Sequence, residues 1–150
     1  MSPSTISIDD DLGEVTITRD YDAPRDVVFR AFMDAEQLSQ FWGPVGLHTT
    51  VEGIVIEPWV GGRFETQMVA DDGSGEFSMK SVFVEFKEPE VFAFKEPDSD
   101  MVSRSTFTDL GGGRTRIVIH QTNVPPMYRS PEALAGMDTS LDKFEAYLAR

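Results

Sequence analysis

The chain has 150 residues and no cysteine, so its length fits one ordinary domain and both disulfides and thiolate metal sites are excluded. The 26 acidic and 13 basic side chains give a formal net charge of −13, which repels phosphate backbones and anionic surfaces and disfavours nucleic acid as a partner. No apolar run approaches the roughly 20 residues of a membrane span, and the first residues lack the charge and apolar core of a signal peptide. We therefore expect a soluble, cytoplasmic protein without membrane insertion.

The N-terminal part of the chain predicts one strand and two short helices. Apolar and polar residues alternate over Glu14–Tyr21, which is typical of a strand. A helix should begin at Pro24, because proline is favoured at the first helical position. Its expected apolar face consists of Val27, Val28, Ala31 and Phe32. A second short helix is predicted over Ala35–Trp42, ended by Gly43 and Pro44.

The middle of the chain predicts an antiparallel meander, because short turn-forming segments separate successive strand-like runs. The candidate strands are Thr50–Glu57, Arg63–Ala70, Phe77–Phe86, Val91–Lys95, Val102–Leu110 and Arg114–Gln121. Together with the first strand they would form a seven-stranded sheet. The glycine pair Gly61-Gly62 is most simply a tight turn, since no phosphate-loop pattern follows it.

The C-terminal segment predicts one long amphipathic helix, capped by Ser130 and opened by Pro131. Its apolar stripe has three- and four-residue spacing and consists of Leu134, Met137, Leu141, Phe144 and Leu148. Its outer face is expected to carry Asp138, Asp142, Lys143 and Glu145. An antiparallel sheet must cover its apolar face, and this helix has the matching stripe. The pattern predicts an α+β helix-grip fold, in which a curved antiparallel sheet wraps the long helix. We expect a flexible lead-in over residues 1–12 and a single domain over residues 13–150.

Several short segments carry a resemblance that spans nearly the whole chain. They include Phe41-Trp42-Gly43-Pro44, Gly61-Gly62-Arg63-Phe64, Thr106-Phe107-Thr108 and Gln121-Thr122-Asn123-Val124-Pro125. In this order and spacing the chain resembles the activator of Hsp90 ATPase homologue-like family, within the START and pollen-allergen (SRPBCC) superfamily. The resemblance implies a cup-shaped, START-like domain with an internal hydrophobic cavity.

Two positions depart from the pattern of that family. The family often has a tryptophan after the glycine of the last helix, whereas here Gly136 is followed by Met137. It often has a glycine where this chain has Ser81. Methionine is smaller and more adaptable than tryptophan, so the first departure would loosen the cavity wall.

Polar residues on two strands suggest a partly polar cavity wall. Ser103 and Ser105 share a strand face with Phe107, and Gln121 shares a face with Ile119. If the apolar members face inward, so do the polar ones, and the amide of Gln121 could orient a ligand carbonyl or hydroxyl. A bulge or register error would instead turn the serines outward. Gln121 could also satisfy the backbone near the end of its strand.

The full set of cavity candidates combines these residues with aromatic and aliphatic side chains. They are Phe32, Phe41, Trp42, Phe64, Thr66, Met68, Ser103, Ser105, Phe107, Ile119, Gln121, Met137, Leu141 and Phe144. Phe41 and Trp42 could form a lid over the cavity mouth or belong to the core. The leading hypothesis is a binding protein for a hydrophobic or amphipathic small molecule.

Two other classes of function stay open. The resemblance implies that a chaperone of the Hsp90 type could be a partner, and some superfamily relatives are cyclases or hydrolases. A catalytic role predicts a buried carboxylate or histidine inside the cup, but no nucleophile elbow or zinc-ligand spacing occurs around His48, His120 or elsewhere. We therefore assign no catalytic residue, metal or cofactor, and the pattern leaves the oligomeric state open.

Overall fold

The computed structural model describes residues 3–150, and within them nine strands form one antiparallel sheet. The strands are β1 (Thr5–Asp9), β2 (Glu14–Tyr21), β3 (Leu47–Thr49), β4 (Val55–Ile56), β5 (Arg63–Ala70), β6 (Glu76–Lys87), β7 (Val91–Lys95), β8 (Val102–Gly111) and β9 (Arg114–Thr122). Their spatial order is β1-β2-β9-β8-β7-β6-β5-β3, and β4 also pairs with β5. The helices are α1 (Arg25–Met33), α2 (Ala35–Ser39) and α3 (Pro131–Leu148), with 3₁₀ turns at Val51–Gly53 and Pro126–Tyr128. The α+β helix-grip prediction is confirmed.

The sheet has two strands more than predicted, and one of them lies in the expected lead-in. β1 pairs with β2, placing Ile6 opposite Ile17 and Ile8 opposite Val15. The lead-in predicted over residues 1–12 therefore contains a paired strand, and Met1 and Ser2 lie outside the described residues. The acidic run that follows β1 hid its two-residue alternation.

The predicted strand Thr50–Glu57 is also wrong in part, because a 3₁₀ turn interrupts it and leaves only β4 as strand. The turn brings Gly53 so close to β5 that an added Cβ would lie 2.6 Å from Cβ of Gln67. The turn before β5 confirms the simple interpretation of the glycine pair. A Cβ at Gly62 would lie 2.1 Å from the carbonyl oxygen of Glu57, so this position needs glycine.

The two short helices follow β2 with one change of buried face. Val28, Ala31 and Phe32 are buried as expected, but Val27 is 44% exposed. Phe29 takes its place in the core, with ring centroids 5.0–5.8 Å from those of Phe86, Phe92 and Phe107. The second helix ends at Ser39, three residues earlier than predicted.

The long helix α3 has the predicted cap and stripe. The side chain of Ser130 accepts a hydrogen bond from the backbone N–H of Ala133 at 3.1 Å. Leu134, Leu141 and Phe144 are buried, and Met137 and Leu148 are half-buried against the core. The four charged residues expected on the outer face of α3 are half-buried and all have partners. Three of them bind a buried arginine and the fourth binds backbone carbonyls, as described below.

Candidate functional site

One end of the interior, between α3 and the short helices, is filled by aromatic rings. The ring of Phe144 lies 4.9 Å from Phe32, 4.3 Å from Phe41 and 5.0 Å from Tyr21, measured between centroids. Phe107 is 2% exposed and lies 5.8 Å from Phe32. Phe41 is also 2% exposed, which supports the interpretation of Phe41 as core at this closed end.

Polar side chains line the helix-facing side of β8 and β9, farther from this closed end. Ser103 pairs with Gln121 and Ser105 with Ile119, in a register that is unbroken from Val102 to Asp109. All three polar residues are buried, in phase with Phe107, so they face inward. The bulge alternative is therefore wrong. We call Ser103, Ser105 and Gln121 the β8–β9 polar row.

The polar row is buried but not completely sealed. Its members retain 6–8% of their exposure, compared with 2% for Phe107 and Ile117 on the same two strands. Within residues 3–150 the three side chains form no hydrogen bond, and their polar atoms keep contact with solvent. Buried polar groups normally have partners, so the row can accept or donate hydrogen bonds to an added molecule.

Two further buried hydroxyls lie on the helix-facing side of β5 and β6. Thr66 pairs with Met79, and Ser81 pairs with Phe64. Both polar side chains are 2% exposed, and their hydroxyl oxygens lack a hydrogen-bond partner within residues 3–150. We call Thr66 and Ser81 the β5–β6 hydroxyl pair. Thr66 was a sequence candidate, whereas Ser81 was noted only as a departure from the family pattern. The signal that could have found Ser81 is its inward phase between Met79 and Phe83.

The remaining candidates border the partly open side of the interior. Trp42 is half-buried and meets the ring of Phe64 edge-on, with 5.5 Å between centroids. Its neighbour Gly43 runs close to β5, because an added Cβ would lie 3.0 Å from Sδ of Met68. Met68 and Met137 are half-buried as well. These flexible side chains therefore form the boundary that a ligand would have to cross.

The segment at residues 41–47, which follows α2, is fastened to α3 by three side chains. Val45 N–H donates to Thr139 Oγ1 at 3.0 Å, Ser140 Oγ donates to the Phe41 carbonyl at 2.9 Å, and Lys143 Nζ donates to the Pro44 and Leu47 carbonyls at 3.1 and 3.0 Å. Burial lowers the pKa of the Lys143 ammonium. These side chains hold residues 41–45 against the helix, while the end of the segment is fixed to β5 through Leu47 of β3.

Arg19 is the one charged side chain that is buried among residues 3–150. Its guanidinium donates to Asp142 at 2.7 Å, Glu145 at 3.1 Å and Asp138 at 3.4 Å, all on α3. Burial alone would lower the pKa of Arg19, but the hydrogen bonds to Asp142 and Glu145 outweigh burial and raise that pKa. These carboxylates pair with the guanidinium charge at its two terminal nitrogens, whereas the buried Nε has no partner within residues 3–150.

The described part of the chain offers little support for other kinds of site. Its buried polar residues include no carboxylate and no histidine, so the cyclase or hydrolase alternative stays a prediction without a candidate residue. Within residues 3–150 no three His, Asp or Glu side chains are arranged so that they could hold a metal ion. None of the helices in that range is long and apolar enough to cross a membrane.

Two depressions lie elsewhere on the molecule. One, of about 270 Å³, is lined by Pro3, Thr5, Thr18, Arg19, Asp20, Arg114 and Arg116. The other, of about 340 Å³, is lined by Pro24, Arg25, Asp26, Pro89, Asp109 and Gly111–Gly113. None of the fourteen sequence candidates lines either depression, so the expected internal cavity stays a prediction.

The structure brings the candidates together on one side of the sheet. Eleven of the fourteen are buried: Phe32, Phe41, Phe64, Thr66, Ser103, Ser105, Phe107, Ile119, Gln121, Leu141 and Phe144. Trp42, Met68 and Met137 are half-buried. The arrangement is an interior closed by aromatic rings at one end and partly polar toward the other.

A curved antiparallel sheet that grips a C-terminal helix around a partly polar interior defines a helix-grip protein of the START and pollen-allergen type. Residues 22–149 match the model of the family described as Activator of Hsp90 ATPase homolog 1-like protein. The chain belongs to that family. Whether a chaperone is a partner of this chain stays a prediction.

Solved structures have the same fold. Protein Ms6760 from Mycobacterium smegmatis is 23% identical, with 98% of each chain covered and a TM-score of 0.81. Protein CV1439 from Chromobacterium violaceum is 22% identical, covering 89% of this chain and 95% of that one, with a TM-score of 0.80. An AHSA1-like protein from Aeromonas hydrophila is 24% identical, covering 89% and 92%, with a TM-score of 0.75. At this identity the likeness shows the fold alone. No curated protein matches the sequence.

Proposed function

We propose that the protein binds a hydrophobic or amphipathic small molecule between the sheet and α3. The observation that carries the proposal is the β8–β9 polar row, whose three side chains face inward, form no side-chain hydrogen bond within residues 3–150 and keep a small exposure of 6–8%. A buried polar group without a partner costs about 1–3 kcal/mol, and a ligand that supplies the partner recovers this free energy.

The apolar part of the ligand would supply most of the binding free energy. Each Å² of apolar surface removed from water contributes about 25 cal/mol. Leu141 belongs to the core, Met137 and Trp42 pack against it, and they offer such surface. The polar row would then orient the ligand by receiving its hydroxyl, carbonyl or amide.

The entry route in this proposal is the boundary formed by Trp42, Met68 and Met137. All three side chains are half-buried. Residues 41–45 belong to no strand and are attached to α3 through side chains, so they can move without breaking a strand ladder. A ligand would enter there and displace flexible side chains rather than the packed aromatic end.

The first test is native mass spectrometry of freshly purified protein, in which a retained small molecule appears as added mass. The second compares dodecanol with dodecane as probes of an amphipathic and a purely apolar ligand. Gln121→Leu should weaken dodecanol binding by roughly tenfold or more, because the amide is lost. The same variant should spare or improve dodecane binding.

A matched control is Gln67→Leu. Gln67 lies on the face of the sheet opposite to that of Thr66 and Gln121, and its Nε2 donates to Glu76 at 3.0 Å. This variant should leave both affinities unchanged. Equal losses of dodecanol and dodecane in Gln121→Leu would make Gln121 a structural residue. Failure of the wild-type protein to bind either probe would overturn the proposed function.

A further inference from the structure

The β5–β6 hydroxyl pair forms a second group of unsatisfied polar atoms, separate from the β8–β9 polar row. Thr66 and Ser81 face the same side as Phe64 and Phe83, which are fully buried. Each hydroxyl is enclosed and without a hydrogen-bond partner within residues 3–150. An enclosed hydroxyl without a partner is unfavourable in the empty protein, and it becomes favourable when a bound group completes its hydrogen bond.

Aromatic side chains separate the two polar groups. Phe94 on β7 pairs with Phe83 on one side and with Ser103 on the other. The ring of Phe94 lies 5.1 Å from that of Phe64 and 6.2 Å from that of Phe92, measured between centroids. Neighbouring strands lie about 4.8 Å apart, so three strand spacings place β6 roughly 14 Å from β9 along the sheet. The helix-facing side of the sheet is thus polar, then aromatic, then polar.

Among the described residues, the interior offers no unpaired cation to an anionic ligand. Within residues 3–150, Arg19 is the buried charged side chain, and three carboxylates of α3 already bind it. A carboxylate group placed among Ser103, Ser105 and Gln121 would lose its hydration without meeting a free cation. Neutral hydroxyl, carbonyl and amide groups match these side chains instead.

We propose that the interior selects an uncharged ligand that has a hydrogen-bonding group at each end and an apolar middle. This inference rests on the proposed function and adds the chemical class of the ligand. One end binds the β8–β9 polar row, the middle lies over the Phe64, Phe92 and Phe94 rings, and the other end binds the β5–β6 hydroxyl pair. Met68 and Met79 flank Thr66 on its strand and on the paired strand, and their flexible side chains move aside for that end.

The test uses three probes of equal chain length: dodecanediol with a hydroxyl at each end, dodecanol and dodecanoic acid. Their affinities are measured at neutral pH by displacement of an apolar fluorescent dye. The diol should bind about tenfold more tightly than the alcohol, because it completes one more buried hydrogen bond. The acid should bind most weakly, since its carboxylate has no cation.

Variants that remove the two hydroxyls and keep their shape locate the second contact. Thr66→Val and Ser81→Ala should abolish the advantage of the diol over dodecanol. The same variants should raise the Tm of the empty protein by roughly 2–4 °C, because an unsatisfied buried group is removed. A merely structural hydroxyl would instead lower Tm when it is removed. Ser78→Ala is the matched control, because Ser78 is exposed on β6 and should affect neither quantity.

The outcomes separate this inference from the proposed function. Dodecanol binding with no advantage for the diol in the wild-type protein overturns the second contact and leaves the proposed function intact. Equal binding of dodecanoic acid and dodecanol overturns the selection for uncharged ligands. Absence of binding by all three probes overturns the proposed function and this inference with it. The comparison of probes on the wild-type protein does not depend on whether any variant folds.

Discussion

Tyr21 shows how a single residue can combine favourable packing with an unfavourable polar atom. Its ring is 1% exposed, packs 5.0 Å from the ring of Phe144 and lies 5.7 Å from the Arg19 guanidinium. Its hydroxyl has no hydrogen-bond partner within residues 3–150. Burial raises the pKa of the Tyr21 phenol, because a phenolate would lose its hydration there. The ring therefore stabilises the core while the hydroxyl opposes it.

The variant Tyr21→Phe should be at least as stable as the wild-type protein at pH 7, because it removes only the unsatisfied hydroxyl. The free energy of unfolding of this variant should also decrease less at alkaline pH than that of the wild-type protein. A group whose pKa is raised on folding contributes its full stabilisation to the folded state at any pH below its unfolded pKa, which is about 10 for tyrosine. As the pH rises above that value, the free energy of unfolding decreases. The loss is at most about 1.4 kcal/mol per pH unit. Urea denaturation at a series of alkaline pH values measures both effects.

The matched control is Tyr128→Phe, because Tyr128 is 53% exposed in the 3₁₀ turn before α3. It should keep the alkaline loss of stability that the wild-type protein has. A Tyr21→Phe variant that follows the wild-type curve above about pH 10 would contradict the assignment of that loss to Tyr21.

Whether a side chain faces the interior could be predicted where the alternation along its own strand decides it. Ser103, Ser105 and Gln121 alternate in phase with Phe107 and Ile119, and the structure buries all five. Whether a serine hydroxyl finds a partner depends on the neighbouring strand, which the local sequence does not contain. The inward direction of Ser81 could therefore have been predicted from its phase with Phe83, but the lack of a partner for its hydroxyl could not.

At the scale of elements, α3 is attached to the rest of the molecule along two polar stripes. On one side Asp138, Asp142 and Glu145 bind Arg19 of β2. On the other side, the stripe that contains Lys143 binds the segment at residues 41–47. The apolar stripe between them faces the sheet, so the helix is fixed in rotation as well as in position.

The variant Arg19→Met should lower the free energy of unfolding by about 2–4 kcal/mol. It leaves three carboxylates of α3 close together without their cation, which is costly for buried pairs. The partners are 23–41% exposed, so the loss should not reach the upper part of the range for buried pairs. Chemical denaturation at neutral pH gives this quantity directly.

Arg116→Met is the matched control, since Arg116 forms a 2.8 Å ion pair with Asp20 and is 46% exposed. Its loss should be much smaller than that of Arg19→Met, because exposed ion pairs contribute little to stability. Arg19→Lys should recover only part of the stability, because an ammonium cannot reproduce the planar guanidinium contacts. Equal losses for Arg19→Met and Arg116→Met would mean that the buried cluster does not hold α3 in place.

The elements themselves were predicted unevenly, for identifiable reasons. The three- and four-residue spacing of α3 is long and uninterrupted, so its helix and buried face could be predicted. The partner of the three α3 carboxylates could not be predicted, because Arg19 is more than a hundred residues away in sequence. β1 is short and lies beside an acidic run, and the strand predicted over Thr50–Glu57 is interrupted by the close approach of Gly53 to β5.

At the scale of the whole molecule, α3 spans two different environments. Its C-terminal half carries Phe144 into the aromatic cluster, where that residue is fully buried. Its N-terminal half carries Met137, which is half-buried, and runs close to Pro44 through Gly136. The aromatic end provides stability, and the other end provides the side chains that can rearrange. The fold could be predicted because the apolar stripe of one helix matched the apolar face of one sheet. Whether the interior can hold a ligand depends on how the side chains around Met137 pack, which the local spacing does not determine.

The variant Met137→Trp tests whether this end takes up apolar molecules. Tryptophan fills more space than methionine at the boundary of the interior, so it should reduce the uptake of an apolar dye such as Nile red. The urea midpoint of the variant should stay close to that of the wild-type protein, because Met137 does not belong to the aromatic cluster. Dye fluorescence against protein concentration gives the affinity. Met137→Leu nearly conserves the volume and should bind the dye as the wild-type protein does.

A second site for the dye must be separated from the interior in this experiment. Trp59 and Val60 are 57% and 62% exposed in the turn between β4 and β5, and they form an alternative apolar surface. Trp59→Ser should leave dye uptake unchanged if the dye enters beside Met137. Unchanged uptake in a folded Met137→Trp protein, together with a loss in Trp59→Ser, would place the dye on the outer surface. That result would remove Met137 from the wall of the proposed site, and with it the argument that the N-terminal half of α3 closes over a ligand.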